Sequence, residues 1–211
     1  VRYIANRSSG KQGHAIAEAL RDLGCDVTLV TGPVALADPA GVTVVHVQSA
    51  RDMLVGCERA LPADILVCAA AVADWRTAEV APEKMKKDGL GKPPALALAE
   101  NPDILKTLSR LPAGRPHLVV GFAAETENVI DNAKAKLAKK GCDWIVANDV
   151  SPETGTFGGD ANTVHLVRPD SVETWPCMPK SAVAGELAQR IARHFAGGGG
   201  GLSGEAGQAA E

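Results

Sequence analysis

The stretch Val1-Arg2-Tyr3-Ile4-Ala5-Asn6-Arg7-Ser8-Ser9-Gly10-Lys11-Gln12-Gly13-His14-Ala15-Ile16-Ala17, continued by EALRDLGCDVTLVT to Thr31, decides the fold. Residues 1–5 read as a strand. Residues 11–23 read as a helix, with His14, Ile16 and Ala17 near one face and Leu20 a turn later. Gly24 stands where a helix C-cap belongs, and 27–31 is apolar enough for a second strand. Strand, helix and strand in that order make a right-handed crossover unit, the building block of a parallel sheet.

Working outward, the alternation continues. Residues 42–47 form a further expected strand, Ser49 is an N-cap for a helix through 61, and 65–70 is an uninterrupted apolar run of the kind found in strands buried on both faces. Between 71 and 94 the periodicity is lost while prolines, glycines and four lysines (Lys84, Lys86, Lys87 and Lys92) accumulate. A loop of that length inside a compact domain is usually functional or disordered, so it is the expected site of a mobile, substrate-closing flap. Order resumes with a strand at 95–98, a helix at 102–111, a strand at 118–123, a basic helix at 129–140 and a strand at 144–147. A closing hairpin at 163–167 and 172–175 and an amphipathic helix at 181–195 complete the pattern. The expected fold is α/β and Rossmann-like, a largely parallel sheet flanked by helices. One domain over 1–196 is expected, followed by a disordered Gly-rich tail at 197–211 with too little apolar surface to offset its ordering entropy.

Of the 211 residues 45% are apolar, enough for a real core. The 22 basic and 25 acidic side chains leave a formal charge of -3, so no global field favours nucleic acid or an anionic membrane, and an anion site must be built locally. The five cysteines (Cys25, Cys57, Cys68, Cys142 and Cys177) form no metal-spaced cluster and are expected to be buried free thiols. No apolar run suits a signal or a membrane span, so the cytosol is the expected location. Because the first residues already read as a strand, the chain is expected to begin inside a longer protein.

Several junctions carry chemistry. Residues 6–13, NRSSGKQG, join a strand to a helix, where free backbone N–H groups and the helix dipole attract a phosphate or carboxylate. Position alone leaves open a plain turn with serine capping. A Walker A loop does not fit, because Ala5 and Gln12 occupy its glycine and Ser/Thr places. A dinucleotide fingerprint matches only Gly10 and Gly13 and lacks the acid after the second strand. Residues 68–76, CAAAVADWR, leave a buried strand through small residues, letting a ligand approach the backbone near Asp74; a surface turn acid is the alternative. On the loop, EKMKKDG (83–89) could swing lysines over a polyphosphate, or be a solvated charge run. Lys136 and Lys140 fall four apart on one helical face and could meet one phosphate chain, or be solvated as surface lysines commonly are. Asn101-Pro102-Asp103 opens a helix, and Phe122 is either a platform for a base or a core phenylalanine.

Taken in order, NRSSGKQG, TLVTGPV, CAAAVADWR, APEKMKK, ENPDIL, GFAAET and ANDV resemble the bacterial phosphopantothenoylcysteine synthetases, usually fused behind a flavin-dependent decarboxylase. The resemblance runs from residue 1 to about 195. Trp75 stands where tyrosine is common, and Glu100 where a basic residue often precedes Asn101. It implies a ligase that joins 4'-phosphopantothenate to L-cysteine using CTP and Mg2+ through an acyl-cytidylate. By motif position it implies catalytic roles for Asn6 and Lys84. Arg2, Ser8, Ser9 and Gly10 map to the acidic substrate, and Ala69, Ala70, Asp74, Lys84, Asn101, Pro102, Phe122, Lys136 and Lys140 to CTP. The metal ligands stay open. It further implies a homodimer, with Arg2 and Asn6 near the subunit interface. The competitors from the residues themselves are a nucleotide-sugar or NAD-dependent Rossmann enzyme and a non-catalytic nucleotide-binding module.

Overall fold

Residues 4–6, 8–79, 95–150 and 161–197 are described by the structure, a computed structural model. Helix α1 (Lys11–Asp22) leads to strand β1 (Thr28–Thr31), which pairs in parallel with β2 (Thr43–His46). Helix α2 (Ala50–Arg59) then opens on the expected N-cap: Ser49 Oγ accepts from Asp52 N while the Asp52 carboxylate accepts from Ser49 N. Such a reciprocal cap stabilises a helix start by about 1 kcal/mol.

Strand β3 (Ile65–Cys68) pairs in parallel with β6 (Leu118–Glu125), and β6 with β7 (Trp144–Asp149). The hairpin β8 (Ala161–Val167) and β9 (Val172–Pro179) adds antiparallel strands beyond β7, giving the order β3-β6-β7-β8-β9. Between β3 and β6 the chain makes an antiparallel ribbon, β4 (Trp75–Thr77) with β5 (Leu98–Glu100), and a short helix α3 (Ile104–Ser109). Helices α4 (Val129–Lys140) and α5 (Lys180–Gly197) complete the fold.

Strand alternation divides the core. Leu118 and Val120 of β6 and Trp144 and Val146 of β7 face α1 and α5, where Ile16, Leu20, Val183, Leu187 and Ile191 cover them. Val119, Ala123, Ile145 and Ala147 face the other way, against Ala133 and Leu137 of α4. Each such aliphatic side chain withdrawn from water contributes roughly 1.5–3 kcal/mol before chain entropy is counted. A Cβ at Gly121 would lie 2.5 Å from Leu105 Cδ2 and 2.9 Å from Ile145 Cδ1, so those side-chain ends would have to shift to admit one.

The structure departs from the sequence expectations at five points. Residues 4–6 carry no strand, and the rest of that expected strand, 1–3, lies outside the described residues. The expected loop at 71–94 contains β4; its remainder from residue 80, with Lys84, is outside the described residues. The strand expected at 95–98 sits later, at Leu98–Glu100, because its register is set by β4 rather than by its own apolar run. Cys177 is exposed on β9, whereas Cys142 is buried and Cys25, Cys57 and Cys68 are half-buried. Helix α5 includes Gly197, and the expected tail beyond it lies outside the described residues. Among the described residues no helix is long and apolar enough to cross a membrane.

Candidate active site

Small side chains at the carboxyl end of β3 let three chain segments meet there. Helix α1 starts beside it: a Cβ placed on Gly13 would lie 4.0 Å from the Ala69 Cβ. Gly10 turns the chain into α1 with φ +74, a left-handed conformation for which glycine is favoured, and a Cβ there would meet Val34 Cγ1 at 2.8 Å. The serines before it hold the turn, Ser8 Oγ accepting from Gly10 N at 3.5 Å and Ser9 Oγ from Lys11 N at 3.4 Å. Gly10, at the N-cap, has no side chain to bond the helix, and Ser9, on the Lys11 N–H, stands in its place.

Beyond β3 the chain passes through exposed Ala70 and Ala71 to a segment tethered from two sides. Asn6 donates from Nδ2 to the Val72 carbonyl at 3.1 Å. Asn101 donates from Nδ2 to the Ala73 carbonyl at 2.8 Å and from its backbone N to the Asp74 carbonyl at 2.8 Å. Arg76 also donates to the Glu100 carbonyl. Residues 66 and 28 positions apart in sequence thus fix one turn, and Asp74 is left exposed at its end.

Past half-buried Pro102, Asp103 caps α3 by accepting from Lys106 N at 3.0 Å, and its other oxygen takes the Lys140 ammonium at 2.5 Å. Burial works against the Asp103 carboxylate, yet hydrogen bonds from Lys140 and Lys106 N and the charges of both lysines hold it below the usual carboxylate range. One turn earlier on α4, half-buried Lys136 has its ammonium destabilised, first by burial and then by the Lys140 charge. A cation in that state gains strongly from an arriving phosphate.

The sequence-predicted residues are therefore partly gathered. Asn6, Ala69, Ala70, Asp74, Asn101 and Pro102 surround one strand end, with Ser8, Ser9 and Gly10 at the adjoining helix start. Lys136 and Lys140 lie on the α4 side of the sheet. Phe122 lies on the opposite side, half-buried against the cluster covered by α1 and α5, so the sheet separates it from the lysines. Lys84 and Arg2 lie outside the described residues. Asp103 is the participant that sequence reasoning left out of the site; its position at a helix N-cap, three residues before Lys106, was the available signal. Burial raises the thiols of Cys57 to about 11, Cys68 to about 12 and Cys142 to about 11, which removes them as nucleophiles near neutral pH. Among the described residues no group of three or more His, Cys, Asp or Glu side chains could hold a metal.

The sequence profile described as the DNA/pantothenate metabolism flavoprotein C-terminal domain matches residues 1–195. The chain belongs to that family. The coenzyme A biosynthesis bifunctional protein CoaBC of Vibrio vulnificus is 41% identical over 192 residues, covering 90% of this chain and 48% of the relative. The chain spans about half the length of the curated relatives it matches. The crystal structure of the C-terminal domain of a CoaBC protein superposes with a TM-score of 0.76 at 38% identity, covering 93% of this chain and 88% of that one. A Cab2 mutant in complex with phosphopantothenate-cysteine has the same fold, with a TM-score of 0.70 at 15% identity and coverages of 93% and 81%. Among members of the DNA/pantothenate metabolism flavoprotein C-terminal domain family, this chain is thus close to the C-terminal part of CoaBC.

Proposed function

We propose that the chain forms the amide between 4'-phosphopantothenate and L-cysteine, driven by CTP, in coenzyme A biosynthesis. The observation that carries this reading is the double tether of residues 72–74 by Asn6 and Asn101, which makes one cleft of the α1 start, the end of β3 and the start of α3. The family membership and the CoaBC relatives support it.

In the first half-reaction a carboxylate oxygen of the acid attacks the α-phosphorus of CTP; the bond to the bridging oxygen breaks and pyrophosphate leaves. In the second, the cysteine amine attacks the acyl carbon, loses a proton, and CMP departs with the electron pair of the cleaved C–O bond. No protein nucleophile is needed, in keeping with thiols whose ionisation burial suppresses. Positioning and charge stabilisation carry the rate. Asn6 Nδ2 spends one hydrogen on Val72 and has a second to direct at the acyl oxygen. The turn at Ser8, Ser9 and Gly10 presents backbone N–H groups to an anionic part of the acid, joined by Arg2. Ala69 and Ala70 leave room for the nucleotide against the backbone, with Asp74, Asn101 and Pro102 around it. Phe122 offers its ring to the base, and Lys136 and Lys140 face the phosphates. Lys84 neutralises charge developing there. Mg2+ would arrive with the triphosphate and offset its charge, and the exposed Asp74 carboxylate would be the residue available to help hold it.

We also assign the ribbon to self-association. Trp75, Leu96 and Leu98 are 47, 52 and 48% exposed, and strand alternation puts Trp75 and Leu98 on one face. A homodimer buries such a stripe beside Asn6. In the whole protein an upstream flavin-dependent decarboxylase supplies the remaining length of the CoaBC relatives.

Rapid-quench assay of pyrophosphate and acyl-CMP tests the assignment. Lys84→Gln abolishes the pyrophosphate burst, whereas Asn6→Asp forms acyl-CMP and slows amide formation by ~10²- to 10³-fold. A protein that releases no pyrophosphate when given CTP, the acid and cysteine overturns the reading.

A further inference from the structure

A concavity of about 600 Å³ lies away from the cleft, at the amino end of β7, between the turn joining β8 to β9 and the last turns of α5. Trp144, Arg168, Glu173, Arg190, Arg193 and His194 shape it. The three guanidinium groups are in different states. Arg190 is neutralised, donating to Glu173 Oε1 from Nε at 3.2 Å and from Nη2 at 2.6 Å, and also to Glu186. That network pins the hairpin to α5 and gives the concavity one stiff wall.

Arg168 is only partly matched. Its guanidinium lies 4.7 Å above the Trp144 ring, its nearest carboxylate is Glu173 at 3.9 Å, and its buried Nε has no hydrogen-bond partner. A buried N–H without an acceptor is unfavourable, so an arriving acceptor has an unsatisfied donor to claim. Arg193 lines the same space and makes no hydrogen bond or ion pair with any described residue. His194 stands edge-on to Trp144 at 5.3 Å and fills the angle between them. Asp170, at the rim, accepts from Ser171 Oγ at 3.4 Å and is the acid left outside the Arg190 network.

We propose that this concavity is a second ligand site that takes the phosphate group of a small phosphorylated molecule, with Arg168 and Arg193 as its two guanidinium partners. Guanidinium forks match phosphate oxygens in pairs, and a rigid indole beneath Arg168 preorganises one of them. The site owes nothing to the strand-end cleft, so it stands or falls independently of the proposed reaction.

The test follows the indole N–H resonance of Trp144 and the Arg Nε–H resonances in 15N-labelled protein titrated with inorganic phosphate, pyrophosphate and phenyl phosphate, with chloride at matched ionic strength as the control. Saturable shifts of Trp144 and Arg168 are expected with at least one phosphate and not with chloride, and the arms distinguish a free-phosphate site from one preferring an organic monoester. Arg193→Gln, a surface change, weakens the binding at least tenfold; Arg168→Gln, which also removes the stacking on Trp144, is a second variant. Shifts that chloride reproduces, that do not saturate, or that persist unchanged in Arg193→Gln overturn the proposal.

Discussion

Strands β3 and β7 start from similar sequences and end differently. Ile65-Leu-Val-Cys and Trp144-Ile-Val-Ala are both continuous apolar runs, yet every residue of the β3 run is half-buried while Ile145, Val146 and Ala147 are fully buried. Among the described strands β7 lies between β6 and β8, whereas β3 has only β6 beside it. The lesson is a division of labour within one sheet: the centre is packed from both faces, and the less covered strand delivers small residues to a cleft. An apolar run specifies a strand; its place in the sheet determines whether that strand ends in core or in a site.

The largest expected effect tests that division. Ile145→Ala loses about 2–5 kcal/mol of stability, whereas Val67→Ala loses about 1 kcal/mol, read as shifts of the urea midpoint at unchanged slope. Equal losses would break the contrast. Gly121→Ala forces a methyl against Leu105 and Ile145 at the junction of the two strands and costs about 1–3 kcal/mol by the same measurement. At the cleft, Asn101→Ala frees the Ala73 carbonyl and lowers kcat/KM by roughly ten- to a hundredfold, about 1.4–2.7 kcal/mol in the barrier. A change in activity no larger than the change in midpoint would mean that the tether serves the fold alone.

The smallest effect concerns pH. Because Asp103 is held below its ordinary range, its contribution is fully present above the unfolded carboxylate value, about 3.9, and is lost as pH falls through the lower folded value. Asp103→Asn should therefore flatten the acid limb of the stability curve below about pH 4 by a few tenths of a kcal/mol after solvent screening. Urea melts from pH 2.5 to 7 of both proteins check this, and parallel curves would remove the ion pair with Lys140 from the account.

How far the sequence goes follows from the range of the interactions involved. Local signals were readable: the Ser49 cap, the apolar strands at 65, 118 and 144, and the helical faces of α1 and α5 all rest on residues within a few positions of one another. The ribbon was not. Trp-Arg-Thr is too short to show alternation, and its pairing with Leu98–Glu100 is set across more than twenty residues, with the Asn101 amide holding the corner. The two departures from the family pattern, Trp75 and Glu100, turn out to be direct cross-strand partners, a relation visible only once the register is known. Within the site, motif order located the strand ends, but the face on which Phe122 lies and the carboxylate that holds Lys140 depend on packing.

The seam between α1 and α5 bears on how the protein is made. Ile16 and Leu20 rest on Val183, Leu187 and Ile191, and Gln12 donates to the Lys180 carbonyl across 168 residues. A ribosome adding about 5–20 residues per second needs on the order of ten seconds or more to supply that second helix after the first has emerged. Throughout that interval the apolar stripe of α1 stays without its native cover, so the nascent chain has reason to engage a chaperone, and contacts of such long range favour slow folding.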